Sequence, residues 1–298
     1  MTFNDNADIS GGGASSGGGG GRRRTGLVVG GGGGVLVTIA IIVIANLLGV
    51  NVGTDGDTDS GQPATGGQDL SQCTTGAQAN ADVGCRMKGA AASLDVYWSE
   101  EAPALGVDYT RPDFVLFSGS TDTPCGTASS ATGPFYCPGD KVIYLDTAFF
   151  TDLRDNYGAT AGSLAQLYVV AHEWGHGIQD LAGRFANQSG DQEGAGSESV
   201  RTELQADCFA GAWVGAATET KDENGVPFLE PVTSAQVADA LNAASAIGDD
   251  RLQQLGGGAV NPDSWTHGSS AQRQRWFTTG YQSGAESCDT FSPKASQL

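Results

Sequence analysis

The chain has 298 residues, enough for one large domain or two small ones, and 34 acidic residues against 15 basic ones give it a formal net charge of −19. A surface that acidic repels phosphate backbones and anionic membrane surfaces, so nucleic acid is excluded as a partner class. The plain reading of the charge itself is solubility.

Residues 1–26 are low in complexity, with Gly11–Gly13 and Gly17–Gly21 set among Ser and Asn. Such a stretch reads as a disordered, Gly-rich cytoplasmic tail. Residues 27–50 carry no charge and include Ile39, Ile41, Ile42, Val43, Ile44, Leu47 and Leu48. Their length suits a bilayer core, so they are expected to form a single transmembrane anchor, although Gly30–Gly34 weakens it as a helix. Arg22, Arg23 and Arg24 place the N terminus in the cytoplasm, which predicts a single-pass cell-membrane protein with an extracytoplasmic C-terminal bulk. A cleaved signal peptide is the rival, but no clean small-x-small site follows the apolar core. Residues 51–70 read as a flexible linker. Asp55, Asp57 and Asp59 alternate like the start of a calcium loop, but the twelfth position is Gly66 rather than Glu, which favours a solvated spacer.

Residues 71–298 have globular composition. Cys73, Cys85, Cys125, Cys137, Cys208 and Cys288 all lie there. An even count beyond the apolar segment argues for disulfides in an oxidising compartment, and no C-x-x-C supports a cysteine metal site. Proximity suggests Cys73–Cys85 and Cys125–Cys137, leaving Cys208–Cys288, out of 15 connectivities that six cysteines allow. An Ala-rich helix is expected over residues 89–97. Strands are expected over residues 113–117 and 141–146, with a Gly/Ser/Pro-rich loop between them. The second strand comes shortly before the stretch described next. It is either the sheet edge that pairs with an extended substrate or an ordinary sheet strand.

His172-Glu173-Trp174-Gly175-His176 is an H-E-x-x-H pattern. On a helix, positions four apart lie about 40° apart, one turn above the other, so both imidazoles can reach one metal ion. Zinc accepts nitrogen ligands in four-coordinate geometry, and Glu173 can take a proton from a metal-bound water. The surrounding helix is expected over residues 164–181. Ser163 and Gln166 would form a capping box, Leu164, Leu167, Tyr168, Ala171, Gly175 and Ile178 one buried face, and Gly183 the stop. A polar, Gly-rich segment over residues 183–197 leads to a second helix over residues 198–217. There Glu203 and Asp207, four apart, share a face of an otherwise Ala-rich helix. Stacked carboxylates on such a face are expensive unless a cation or donor meets them. Glu203 can complete a His₂Glu ligand set, and Asp207 can orient a ligand His.

Two more helices are expected, over residues 232–247 and 271–281. His267 is the only His outside the motif. It can donate to a developing oxyanion as a catalytic residue, cap or pack near Trp265, or replace Glu203 as third ligand.

His172-Glu-x-x-His176 followed by Glu203-x-x-x-Asp207 resembles the gluzincin metallopeptidases. More closely, residues 71–290 are similar to the bacterial putative neutral zinc metallopeptidase family, through Cys125–Ser130, Gly133–Cys137, Val142–Phe150, Glu203–Cys208 and Thr266–Arg273. The resemblance implies an α+β, zincin-like domain, a Zn2+ cofactor and hydrolysis of a peptide or protein substrate, here preceded by a single transmembrane helix. Two other functions compete with it: a zinc hydrolase of a non-peptide amide, and a membrane-anchored scaffold or chaperone-like module with structural zinc. A structural site would be closed by four protein ligands, whereas His172, His176 and Glu203 leave one position open.

Overall fold

The computed structural model of the chain describes residues 2–17, 69–187 and 190–298. Its larger sheet begins with the two apolar runs of the middle region. β2 (Asp113–Phe117) and β6 (Val142–Asp146) pair in parallel, with Asp113 opposite Val142 and Phe117 opposite Asp146. β1 (Ala14–Ser16) extends the sheet in parallel on the far side of β2, and β5 (Phe135–Cys137) runs antiparallel to β6. The order is therefore β1-β2-β6-β5. Every residue of β6 is buried, as expected for a strand paired on both sides. The edge role considered for residues 141–146 is thus corrected: β6 is internal, and β5 is the edge on that side. Between β2 and β5 lies a hairpin, β3 (Ser120–Thr123) with β4 (Gly126–Ser129), where the sequence suggests only loop. The Cys125–Cys137 disulfide ties the turn of that hairpin to β5.

The helices are α1 (Gly76–Ala81), α2 (Val83–Glu101), α3 (Phe149–Asp155), α4 (Ser163–Leu181), α5 (Glu198–Gly215), α6 (Ser234–Ala246), α7 (Asp249–Leu255) and α8 (Ser270–Ser283). α4 is buried continuously from residue 167 to residue 179. It is a central helix covered on all sides, rather than one with a single buried face. Its start also differs from the expected capping box. Gly162 is the N-cap and provides no side chain, while the Gln166 side chain donates to the Ala161 carbonyl and accepts from Arg86. Its end is as expected, with Gly183 at φ 73° just beyond the last turn. α5 and α8 approach closely, because Gly280 faces α5 backbone: a Cβ there would lie 1.8 Å from the Cys208 carbonyl oxygen. The Cys208–Cys288 disulfide, Cα–Cα 5.6 Å, then holds the segment after α8 against α5. Cys73 pairs with Cys85 at the start of α2.

The N terminus departs most from expectation. Residues 2–17 are part of the domain rather than a disordered tail. Phe3, Ala7 and Ile9 are core residues. The Asn80 side chain grips Phe3 at both backbone groups, accepting its N–H at 2.8 Å and donating to its carbonyl at 2.9 Å. Asp222 accepts the Asp8 N–H at 2.8 Å. Gly76 permits this approach, since a Cβ there would lie 1.8 Å from the Asn4 carbonyl oxygen. Low average hydrophobicity hides three well-placed apolar side chains and a β-ladder, which is why composition misreads the segment.

This packing corrects the membrane placement. Residues 2–17 and the domain form one packed body, which a single crossing between them would put on opposite faces of a bilayer. Among the described residues no helix is long and apolar enough to cross a membrane. Residues 27–50, where the anchor was expected, and the spacer with Asp55, Asp57 and Asp59 lie outside the described residues. The described residues form an α+β fold with no helix able to cross a membrane, and the single-pass cell-membrane assignment does not stand.

Burying Phe3 and Ile9 contributes about 1.5–3 kcal/mol each. Removing residues 2–17 is therefore expected to lower the melting temperature by about 5 °C or more. A synthetic peptide of residues 2–17 in excess is expected to restore part of that loss, as a ligand of the folded state does. Calorimetry of the shortened chain with and without peptide measures both; an unchanged Tm would mean that the segment adds no stability.

Candidate metal centre

α4 sets His172 and His176 one turn apart, with ring centroids 4.8 Å from each other and planes at 88°. Gly175 lies between them in the sequence and faces α5, where a Cβ would come 3.1 Å from Ala206 Cα. The close crossing brings α5's Glu203 over both rings. His172 Nε2 is 3.1 Å from Glu203 Oε2, and His176 Nε2 is 3.6 Å from Glu203 Oε1. One ligand atom from each of the three residues lies within 4.8 Å of the others. Two imidazole nitrogens and one carboxylate oxygen converging this way fit a divalent cation of zinc's preferences, with a coordination position left open. His267 is not part of that cluster, so the geometry favours Glu203 over His267 as the third member. The other group of suitable side chains among the described residues, Cys73, Asp82 and Cys85, has its sulfurs joined in a disulfide.

The far nitrogens of both imidazoles are held. His172 Nδ1 lies 2.9 Å from Asp207 Oδ1, and a carboxylate only accepts, so Nδ1 carries the proton and Nε2 faces Glu203. His176 Nδ1 lies 2.8 Å from Gln179 Oε1. Asp207 is completely buried, accepting also from the Tyr168 hydroxyl at 2.5 Å and from Arg273 Nε and Nη2 at 2.8 and 2.9 Å. Arg273 is itself buried, and its Nη2 also donates to the Tyr168 hydroxyl oxygen at 3.2 Å. The carboxylate thus has a bidentate guanidinium on one side and an imidazole on the other, the pairing that a buried charge demands.

The ionisation of these groups follows their surroundings. Burial alone would raise the Glu203 carboxyl pKa, but positive charge on His176 and the His172 hydrogen bond hold it well below the usual range. Burial opposes charge on His172, yet the hydrogen bond and charge of Asp207, with Glu203 beyond, raise its pKa to about 10 when no cation competes. Glu173 behaves oppositely: burial raises its pKa above the ordinary value, and its backbone partner is the N–H of Tyr136 on β5. The two imidazoles beside Glu173 partly oppose that rise.

His267 is buried and tied to Asp249 at the start of α7. Its Nδ1 lies 3.2 Å from Asp249 Oδ1 and 3.1 Å from Thr266 Oγ1. Asp249 Oδ2 accepts the backbone N–H groups of Thr266, His267 and Gly268 at 2.8, 2.7 and 2.9 Å. Burial opposes charge on His267, but the hydrogen bond and charge of Asp249 raise its pKa overall, with Glu203 adding to the effect. The loop rests on α5, where Gly268 meets Val200 and Leu204.

The sequence reading brings together His172, Glu173, His176, Glu203 and Asp207 at this centre, with His267 nearby. It misses Arg273, Tyr168, Gln179, Gln205 and Asp249. For Arg273 a signal exists: a carboxylate on an Ala-rich helix needs a buried donor, and Arg273 lies within the Thr266–Arg273 stretch. The other four offer none, because Tyr, Gln and Asp at those positions read equally well as packing or surface residues.

The family described as putative neutral zinc metallopeptidase matches residues 3–291. An uncharacterized protein of Mycobacterium tuberculosis is 50% identical over 253 residues, covering 83% of this chain and 85% of that protein. An uncharacterized protein of Escherichia coli is 38% identical over 262 residues, covering 86% and 85% respectively. No solved structure matches. The chain belongs to the putative neutral zinc metallopeptidase family, whose cofactor is Zn2+.

Proposed function

We propose that the chain is a zinc peptidase in which His172, His176 and Glu203 hold the ion and Glu173 is the general base. The observation that carries this is the convergence of three ligand atoms beside a buried carboxyl of raised pKa. Three protein ligands are the count of a catalytic site; a structural zinc would be closed by four. Bound zinc polarises the scissile carbonyl and makes water more acidic. Glu173 takes the proton of the attacking water and delivers it to the leaving amine. Asp207 keeps His172 in the tautomer that presents Nε2. His267 is bonded to Asp249 at Nδ1, and in its protonated form it has an Nε2–H to donate to the developing oxyanion. β5 is the edge strand of the sheet, and its Tyr136 N–H supports the Glu173 carboxyl beside the metal centre.

Glu173→Gln keeps size and loses basicity. It is expected to bind zinc as the parent does and to lower kcat/KM for a peptide by about 10²–10⁴-fold. Zinc analysis and a peptide-library digest test this together, and undiminished turnover would remove Glu173 from the mechanism. Glu203→Ala is expected to lose zinc on dialysis against a mild chelator, whereas Asp207→Asn keeps it with affinity weakened about 10–100-fold. The reverse order would make Asp207 the ligand.

Asp249→Asn tests His267. The imidazolium is present below the raised pKa of His267 and is lost as pH rises through it. Removing the Asp249 charge lowers that pKa, so the alkaline limb of the kcat/KM profile is expected to move to lower pH, with zinc content unchanged. An unmoved limb would leave His267 a packing role.

A further inference from the structure

We propose that Gln179 and Gln205 form a directional amide relay that fixes His176 in its metal-binding tautomer, anchored where the Cys208–Cys288 disulfide holds the Cys288 carbonyl. The inference rests on the reading of His176 as a ligand and adds the residues that position it.

The relay starts from groups whose direction admits no choice. A backbone carbonyl only accepts, and Gln205 Nε2 lies 2.9 Å from the Cys288 oxygen, so that end of Gln205 is its NH₂. Its Oε1 then faces Gln179, and Gln179 Nε2 donates to it at 3.1 Å. Gln179 Nε2 also donates to the Thr202 carbonyl oxygen at 2.8 Å, a second acceptor-only group that assigns the same orientation independently. Gln179 Oε1 is left pointing at His176 Nδ1, 2.8 Å away. An amide oxygen only accepts, so Nδ1 must carry the proton and the lone pair must sit on Nε2, the nitrogen that faces Glu203. Had the terminal group been a hydroxyl, either direction would satisfy the chain. Two carbonyls at its far end select one.

Burial gives the relay its strength. Gln179 is 1% exposed and Gln205 7%, so water cannot replace a lost partner cheaply. The outer end is equally fixed. Cys288 is covalently bound to Cys208, the residue after Asp207 on α5, so one short stretch of α5 serves both imidazoles. Asp207 orients His172 directly, while Gln205 orients His176 through Gln179. The disulfide is therefore a support of the metal centre, although no sulfur approaches the ion position.

The experiment uses the full chain with all cysteines oxidised. Zinc affinity is measured by chelator competition, zinc-free stability by calorimetry, and the His176 Nδ1–H proton by NMR of the zinc-loaded protein. Gln179→Met is expected to weaken zinc about 10–100-fold, the range for loss of a ligand's orienting partner, and to abolish the protected Nδ1–H resonance. Gln205→Met removes the next link only, and is expected to weaken zinc less while shifting that resonance. The double change Cys208→Ala with Cys288→Ala is expected to resemble Gln205→Met, whereas Cys125→Ala with Cys137→Ala leaves zinc affinity unchanged. Wild-type affinity and an unmoved Nδ1–H resonance in both Gln variants would overturn the relay. So would affinity losses that merely follow the zinc-free melting temperature. If His176→Ala itself keeps zinc, it is the ligand assignment that fails, and that outcome is distinct from failure of the relay alone.

Discussion

The structure depends on one buried ion pair, Asp207 with Arg273. Asp207 is wholly buried and Arg273 nearly so, and either charge alone would cost several kcal/mol in that place. Together, with the Tyr168 hydroxyl between them, they are satisfied, and each partner comes from a different helix: Asp207 from α5, Arg273 from α8 and Tyr168 from α4. The pair therefore sets the relation of three helices at once. Because Asp207 also holds His172, the same contact that joins the helices aims the first imidazole. Packing and chemistry share one carboxylate.

Close backbone approach makes this possible. A guanidinium reaches a carboxylate bidentately only when its helix lies near, and Gly280 lets α8 settle onto α5 at Cys208, the neighbour of Asp207. Gly175 does the same for α4 on α5 and brings Glu203 across both His rings. The sheet contributes differently. Its interior strands bury one side of the domain, its β5 edge supports Glu173, and its opposite edge is completed by residues 14–16 from the N terminus. The two edges thus have separate roles, one next to the chemistry and one closed by the chain itself.

Much of the centre was legible in the sequence because its residues are placed by local rules. Helical spacing alone stacks His172 on His176 and Glu203 on Asp207, and it places a helix at residues 271–281, within the observed α8. Contacts that span long stretches of chain were not legible. Arg273 meets Asp207 across 66 residues, and Gln205 meets Cys288 across 83. No periodicity records such pairings. The N-terminal segment fails for another reason: Phe3, Ala7 and Ile9 are few among polar neighbours, so an average over the window hides the three that are buried. The membrane reading rested on the length of an apolar run, the Arg triplet before it and the resemblance, none of which registers the packing of residues 2–17 into the domain.

The two imidazoles are supported by unlike groups, and charge explains why. His172 has a carboxylate whose charge is already matched by Arg273, so the pair adds little net charge to the centre. His176 sits in the same buried space, and beyond it, among the described residues, the Gln179 side chain bonds only neutral groups, the Thr202 carbonyl and the Gln205 amide. A carboxylate at position 179 would bring an unmatched negative charge near Glu173, whose pKa is already raised, first by burial and further by Glu203. Another like charge would raise it again and disfavour the carboxylate form that the proposed general base uses. A neutral amide accepts the His176 Nδ1–H proton equally well in geometry and adds no charge. Its weaker polarity is offset by its second end, which is held by carbonyls that fix its direction. Orientation without charge is what this position requires, and glutamine supplies it.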